Sequence, residues 1–169
     1  MRNLEGCIGT WGEATNPHLT SQGISFMQMN FWGSETTWLL CQQEMVDQNL
    51  RPDVILIQDS PFSICVGKNI FRGYRAIRPV SHGPCHVVIL IQDCVHFLSA
   101  WPFGQRVVGI ELLGCDGPIM GLSAYIRQTI GEGLEDLARV IRWVKGQSPC
   151  VLVGLDGNGG VLQPQPQTR

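Results

Sequence analysis

The amino-acid sequence predicts an α/β domain, and three features carry that expectation. Between Ile24 and Asp59 a strand, a helix and a second strand follow one another, the βαβ arrangement that pairs its strands in parallel. Residues 54–57, 87–91 and 151–153 are apolar without alternation, as in strands covered on both faces. A further amphipathic helix leads into the last of these strands, which halts abruptly at Asp156 and Asn158. Two residues apart on extended backbone, these side chains share a face. Open α/β sheets hold their chemistry at such carboxyl ends. Read in isolation, Asp-Gly-Asn-Gly is also the composition of an ordinary solvated turn.

A chain of 169 residues, 44% apolar and 15% charged, is expected to form one domain with a real core. Its net charge of −2 gives no global attraction to nucleic acid or to an anionic membrane, so any polyanion site must be a local patch. Seven cysteines, at 7, 41, 65, 85, 94, 115 and 150, are odd in number and lack paired spacing, which points to reduced thiols rather than a disulfide scaffold. The opening residues have no signal-peptide stretch, and no segment approaches the ~20 apolar residues of a membrane span. A soluble protein of the nucleus or cytoplasm, with no membrane partner, is expected.

In chain order, residues 1–22 mix Gly, Pro, Asn and Thr without periodicity and read as a disordered arm. The domain runs from 23 to 160. Its first strand, 24–30, ends at Asn30. Ser34 then caps a helix over 35–49 that opens on Glu35 and carries Trp38, Cys41 and Met45, with Leu39, Val46 and Leu50, at helical spacing. Pro52 bars its continuation, and the strand 53–59 closes on Asp59. Segments 73–80, 86–92, 107–113 and 119–125 read as an antiparallel meander. Leu134, Leu137, Ala138, Ile141 and Val144 then stripe a helix over 133–145. Both helices are expected to cover one face of the sheet. The Gln- and Pro-rich tail 161–169 has no core former and is expected to be disordered. The five tryptophans read as core or staple residues.

Polar groups thus stand where strands end: Asn30, Asp59, Asp156, Asn158 and, closing Gly-Leu-Ser-Ala-Tyr, Tyr125. Carboxylates with amides at one sheet edge suit a hard cation held with substrate phosphate, Mg²⁺ or Mn²⁺, which is what metal-assisted phosphodiester cleavage requires. Lys68, Arg72, Arg75 and Arg78, with Phe71 and Tyr74 interleaved and no acid among them, form the one local patch suited to DNA; an ordinary solvated edge has the same composition. His82-Gly-Pro-Cys85-His86 lacks a second ligand pair and reads as a turn entering a strand. Gly131-Glu-Gly133 is too crowded by Glu132, Glu135 and Asp136 to cradle phosphate.

The blocks Met-Gln-Met-Asn30, Leu-Ile-Gln-Asp59-Ser-Pro, Gly-Leu-Ser-Ala-Tyr125 and Val-Gly-Leu-Asp156-Gly-Asn158 resemble, in order and spacing, the endonuclease/exonuclease/phosphatase superfamily. They are most similar to the apurinic-type endonuclease domain of non-LTR retrotransposons. The resemblance covers about residues 23–159. It implies a four-layered α/β sandwich of two packed mixed sheets flanked by helices, with the family's C-terminal half missing, and Mg²⁺-dependent nicking of DNA. It further implies that Asn30 places metal and phosphate, Asp59 stands at the position of a metal-binding Glu, and Tyr125 contacts the scissile phosphate. Asp156 would then activate the water, and Asn158 would stabilise charged oxygens. Asp59 is one methylene shorter than that Glu, and the family's late Ser-Asp-His block has no counterpart after Asn158. Impaired activity is therefore expected. The alternatives are a non-catalytic remnant that binds DNA or protein, and a phosphatase on the same scaffold. With half of the family's second sheet absent, self-association or a protein partner covering the bare sheet is also expected.

Overall fold

The computed structural model describes residues 8–14, 23–65, 67–68, 70–79, 85–114, 117–126, 132–146 and 150–157. Along the chain these form β1 (Ile8–Ala14), β2 (Ile24–Asn30), α1 (Glu35–Asp47), β3 (Val54–Gln58), α2 (Phe62–Cys65), β4 (Tyr74–Ile77), β5 (Val87–Gln92), β6 (Phe97–Pro102), β7 (Val107–Gly114), β8 (Gly117–Ile126), α3 (Glu132–Lys145) and β9 (Cys150–Gly157). They build two mixed sheets, ordered β1-β2-β3-β5-β4 and β6-β7-β8-β9.

Each sheet contains one parallel pair, and each pair is joined by a helix because a parallel connection needs a crossover. In the first, β2 lies along β3 with Phe26 opposite Val54 and Asn30 opposite Gln58, and α1 connects them. In the second, β8 lies along β9 with Ile119 opposite Cys150 and Tyr125 opposite Asp156, and α3 connects them. Alternation assigns the faces. Val54 and Leu56 of β3, with Ile89 and Ile91 of β5, point between the sheets to meet Val108, Ile110 and Leu112 of β7. Ile55, Ile57, Val88 and Leu90 point outward beneath Trp38, Cys41 and Met45 of α1. On the far side Leu137, Val140 and Val144 of α3 cover Val107, Met120, Leu122 and Ala124. The layers run helix, sheet, sheet, helix: an α/β sandwich, as the family resemblance implied. Ser34 caps α1 by accepting the Thr37 N–H at 3.2 Å.

Several expectations are corrected. Residues 8–14, read as part of a disordered arm, form β1, with Ile8 opposite Met29 on β2. Two glycines erase any periodicity there, and the hydrogen-bonding partner lies elsewhere in the chain. The four middle strands are not one meander. β4 and β5 complete the first sheet, whereas β7 and β8 belong to the second with β6, a Pro-ended edge strand that its sequence did not announce. The two helices cover opposite outer faces rather than one. Leu39 and Val46 of α1 are exposed, as is Ala138 of α3, where Val140 is buried instead. The expected tail at 161–169 lies outside the described residues.

β9 is the outer strand of its sheet. Beside it a cavity of about 280 Å³, lined by Phe26, Leu56, Val151, Leu152 and Val153, opens between the sheets. Among the described residues no helix is long and apolar enough to cross a membrane.

Tyr74 anchors β4 by donating its phenolic hydrogen to the Pro52 carbonyl at 2.6 Å. Burial is the main cause that pushes this phenol up to about 12. Stability linked to Tyr74 should be intact below pH ~10 and fall between ~10 and the folded value, because the unfolded phenol loses its proton first. An absorbance titration at 295 nm of the Tyr125→Phe chain checks this. A midpoint near 10 would show that the phenol is not buried.

Candidate active site

The carboxyl ends of the two parallel pairs meet. Asn30 is the last residue of β2, Asp59 follows β3, and Tyr125 and Asp156 are register partners on β8 and β9. The Asn30 amide donates from Nδ2 to Asp156 Oδ2 at 2.8 Å and so bridges the sheets. Its Oδ1 accepts the Trp32 N–H at 3.0 Å, which holds the amide plane. Further bonds cross the same gap: Gln28 Nε2 to the Leu155 carbonyl at 3.1 Å, and Gln58 Nε2 to Ser123 Oγ at 2.9 Å. Ser123 passes its own hydrogen to the Ile57 carbonyl at 2.7 Å.

Asp59 sits in the left-handed region at φ 44°, a conformation that Asp tolerates better than Glu. Trp32 and Gly33 are also left-handed, at φ 49° and 67°, and the Gly33 N–H closes on the Asp59 carbonyl at 2.8 Å. The β2–α1 loop is thereby pinned to the end of β3. Asp59 Oδ1 lies 3.6 Å from His86 Nδ1. The His86 ring in turn stacks flat on Tyr125, with centroids 4.8 Å apart and planes 12° from parallel. The turn before β7 closes this side, the Gln105 carbonyl accepting from His86 N–H at 3.4 Å and the Arg106 carbonyl from Tyr125 N–H at 2.9 Å.

Burial raises the Asp156 pKa above its ordinary value, and the Asp59 charge adds to the rise; the Asn30 hydrogen bond opposes it. An ionised Asp156 close to a second carboxylate is poised to take a proton or to share a cation. Among the described residues no three His, Cys, Asp or Glu side chains are grouped to hold a metal by themselves.

The structure therefore brings Asn30, Asp59, Tyr125 and Asp156 to one edge, while Asn158 lies outside the described residues. It adds His86, which the sequence reading makes the first residue of a strand and gives no role at the site. The missed signal was topological: β5 runs antiparallel to β3 with Gln58 opposite Val87, so the residue before β5 must fall beside the end of β3. Lys68, Arg72, Arg75 and Arg78 are all exposed. Arg75 also donates to the Val95 carbonyl and lies 4.8 Å over the Phe97 ring, and Arg78 donates to the Cys65 carbonyl at 2.6 Å. Trp32, expected in the core, is 65% exposed beside Asn30.

A close approach behind the site sets its dimensions. A Cβ on Gly154 would meet Gln58 Nε2 at 2.8 Å and Leu56 Cβ at 2.9 Å. Gly154→Ala should cost about 1–3 kcal/mol in denaturant unfolding, through overpacking that pushes β9 from β3. A neutral outcome would show that the sheets are farther apart than described.

No protein-family model matches the sequence, and no curated protein matches it. Solved structures do match in fold. The endonuclease domain of TRAS1, a telomere-specific non-LTR retrotransposon, superposes with a TM-score of 0.63 at 20% identity, over 80% of this chain and 60% of that one. The human Nocturnin catalytic domain with bound sulfate superposes at 0.56 and 14% identity, over 94% and 70%. D. rerio TDP2 complexed with a single-strand DNA product superposes at 0.53 and 15%, over 76% and 57%. The chain spans about 60% of the length of the TRAS1 domain. Two mixed sheets with helices on both outer faces, aligned on these three proteins, give this chain the fold of the endonuclease/exonuclease/phosphatase superfamily.

Proposed function

We propose that the chain is a retrotransposon-type endonuclease domain that hydrolyses DNA phosphodiester bonds slowly with the help of a divalent metal ion. The observation that carries this reading is the Asn30–Asp156 hydrogen bond, which joins the carboxyl ends of both parallel strand pairs at one polar edge. Asp59 and the Asn30 oxygen would hold Mg²⁺ or Mn²⁺. The donor set fits: the Asp59 charge already disfavours ionisation of Asp156, a cation relieves that repulsion, and such ions take one or two carboxylates and complete their shell with water and phosphate. The ion, when bound, supplies charge neutralisation at the phosphate. Asp156, held by Asn30, orients the attacking water and takes its proton. His86, set by Asp59 on one side and Tyr125 on the other, would contact the phosphate.

DNA as substrate is supported by the DNA product in the TDP2 structure, by the exposed Trp32 indole as a stacking face, and by exposed Lys68 and Arg72. Neutralising those two should reduce the slope of log K against log salt by up to about 1.8 on duplex DNA. An unchanged slope would remove them from the interface.

The decisive experiment is nicking of supercoiled DNA in Mg²⁺ or Mn²⁺, compared with chelator and with Asp156→Asn. Slow nicking that needs metal and is lost in the variant supports the proposal; nicking indifferent to either overturns it. A second reading, a remnant that binds DNA or protein without cleaving, is favoured by the engagement of Asp59 with His86. Metal-independent DNA binding without nicking would select it.

A further inference from the structure

Beside this edge, and outside the proposed chemistry, two thiols converge on one hydroxyl. Cys65 closes α2 and Cys85 precedes His86. Ser60 Oγ lies 3.0 Å from Cys65 Sγ and 3.9 Å from Cys85 Sγ, and it donates to the Cys85 carbonyl at 2.9 Å. The Cys65 thiol also donates to that carbonyl, at 2.9 Å. Cys85 is buried and Cys65 half-buried, with Arg78 anchored on the Cys65 carbonyl at 2.6 Å.

The two sulfurs are chemically unequal. The neighbouring Cys85 side chain, helped by the Arg78 charge, outweighs burial and brings Cys65 down to about 6. The same contact, together with burial, pushes Cys85 up. Cys65 thus ionises more readily than Cys85, the asymmetry of an attacking and a resolving cysteine.

We propose that Cys65 and Cys85 form a peroxide-sensitive dithiol in which Cys65 is the oxidised sulfur and Cys85 the resolving one. The Cys65 thiolate attacks a peroxide oxygen, the O–O bond breaks, and the departing hydroxide takes a proton to leave as water, with sulfenic acid on Cys65. The Cys85 sulfur then attacks the Cys65 sulfur as its S–O bond breaks. The Cys85 proton leaves with the hydroxyl as a second water and a disulfide remains. One peroxide accepts the two electrons that the dithiol loses, and a dithiol reductant reverses the change. Ser60 and Cys85 adjoin Asp59 and His86 in sequence, so the new bond closes at the rim of the edge described above.

The test uses the full reduced chain. Alkylation by iodoacetamide between pH 5 and 9, read residue by residue by mass spectrometry, should show a Cys65 midpoint near 6, against roughly 8.5 for an unperturbed thiol. Hydrogen peroxide at pH 7 should yield linked peptides containing Cys65 and Cys85, separated again by dithiothreitol. Cys85→Ala should stop at a Cys65 sulfenic acid that dimedone traps. The wild-type labelling and peptide map decide the matter even if that variant folds poorly. A Cys65 midpoint near ~8.5, or peroxide products confined to exposed Cys94 and Cys150, would overturn the proposal. Nicking activity enters none of these readouts, so the outcome is independent of the proposed function.

Discussion

Asp156→Asn is expected to lower metal-dependent nicking on the order of 100-fold or more, the usual contribution of a positioned general base. The replacement has nearly the same shape, and its amide oxygen can still accept from Asn30, so the bridge between the sheets need not break. What disappears is the capacity to take a proton from water and to balance a cation. Folding should not suffer. Burial and the Asp59 charge both disfavour the Asp156 carboxylate, so a neutral amide removes an unfavourable ionisation. The linkage has the opposite sign to that of a salt-bridged acid: with the folded pKa raised above its ordinary 3.8, stability linked to Asp156 falls as pH climbs through the interval above that value. The variant should lose this pH dependence. Initial nicking rates at matched folded concentration, with thermal melts across that interval, separate the two effects. A rate equal to wild type would remove Asp156 from the chemistry. A slow variant that also melts early would assign the loss to folding.

Trp38→Ala is expected to cost about 3–5 kcal/mol in denaturant unfolding, a large part of the roughly 5–15 kcal/mol that holds a domain together. Trp38 is fully buried on α1 and meets Phe31 edge-on at 5.2 Å between ring centroids. Phe31 directly follows Asn30, and α1 begins within the same turn, so truncation also loosens the loop that fixes the Asn30 amide. Leu39, its neighbour in sequence, is 53% exposed, and Leu39→Ala should stay within about 0.5 kcal/mol. Equal costs for the two substitutions would mean that α1 does not pack on the first sheet as described.

Much of the site was legible before the fold. Asn30 and Asp59 could be placed because α1 is announced by its Ser34 cap and bounded by Pro52, which makes β2 and β3 parallel and aligns their ends. Tyr125 and Asp156 became register partners for the same reason, with α3 as the crossover. His86 was not legible. Its neighbours identify a strand, but only the pairing of β5 with β3 brings its ring to Asp59, and such pairing is a choice of partner that local sequence does not encode. The local contacts of Arg75 and Arg78 were not legible for a related reason: the carbonyls and the ring that engage them come from residues 65, 95 and 97.

Local rules, namely capping, helical stripes, unbroken apolar strands and polar strand ends, determined the class of fold and the identity of most groups at the candidate edge. These properties need only neighbours in the chain. Tertiary structure alone decided that β1 leaves the arm to join the first sheet, that the middle strands divide between two sheets, and that α1 and α3 cover opposite outer faces. It alone closed the Asn30–Asp156 bond, across 126 residues of sequence. Long-range pairing depends on which apolar faces find one another once their elements exist, and the free energy of that choice lies in the contact between elements, not within any of them.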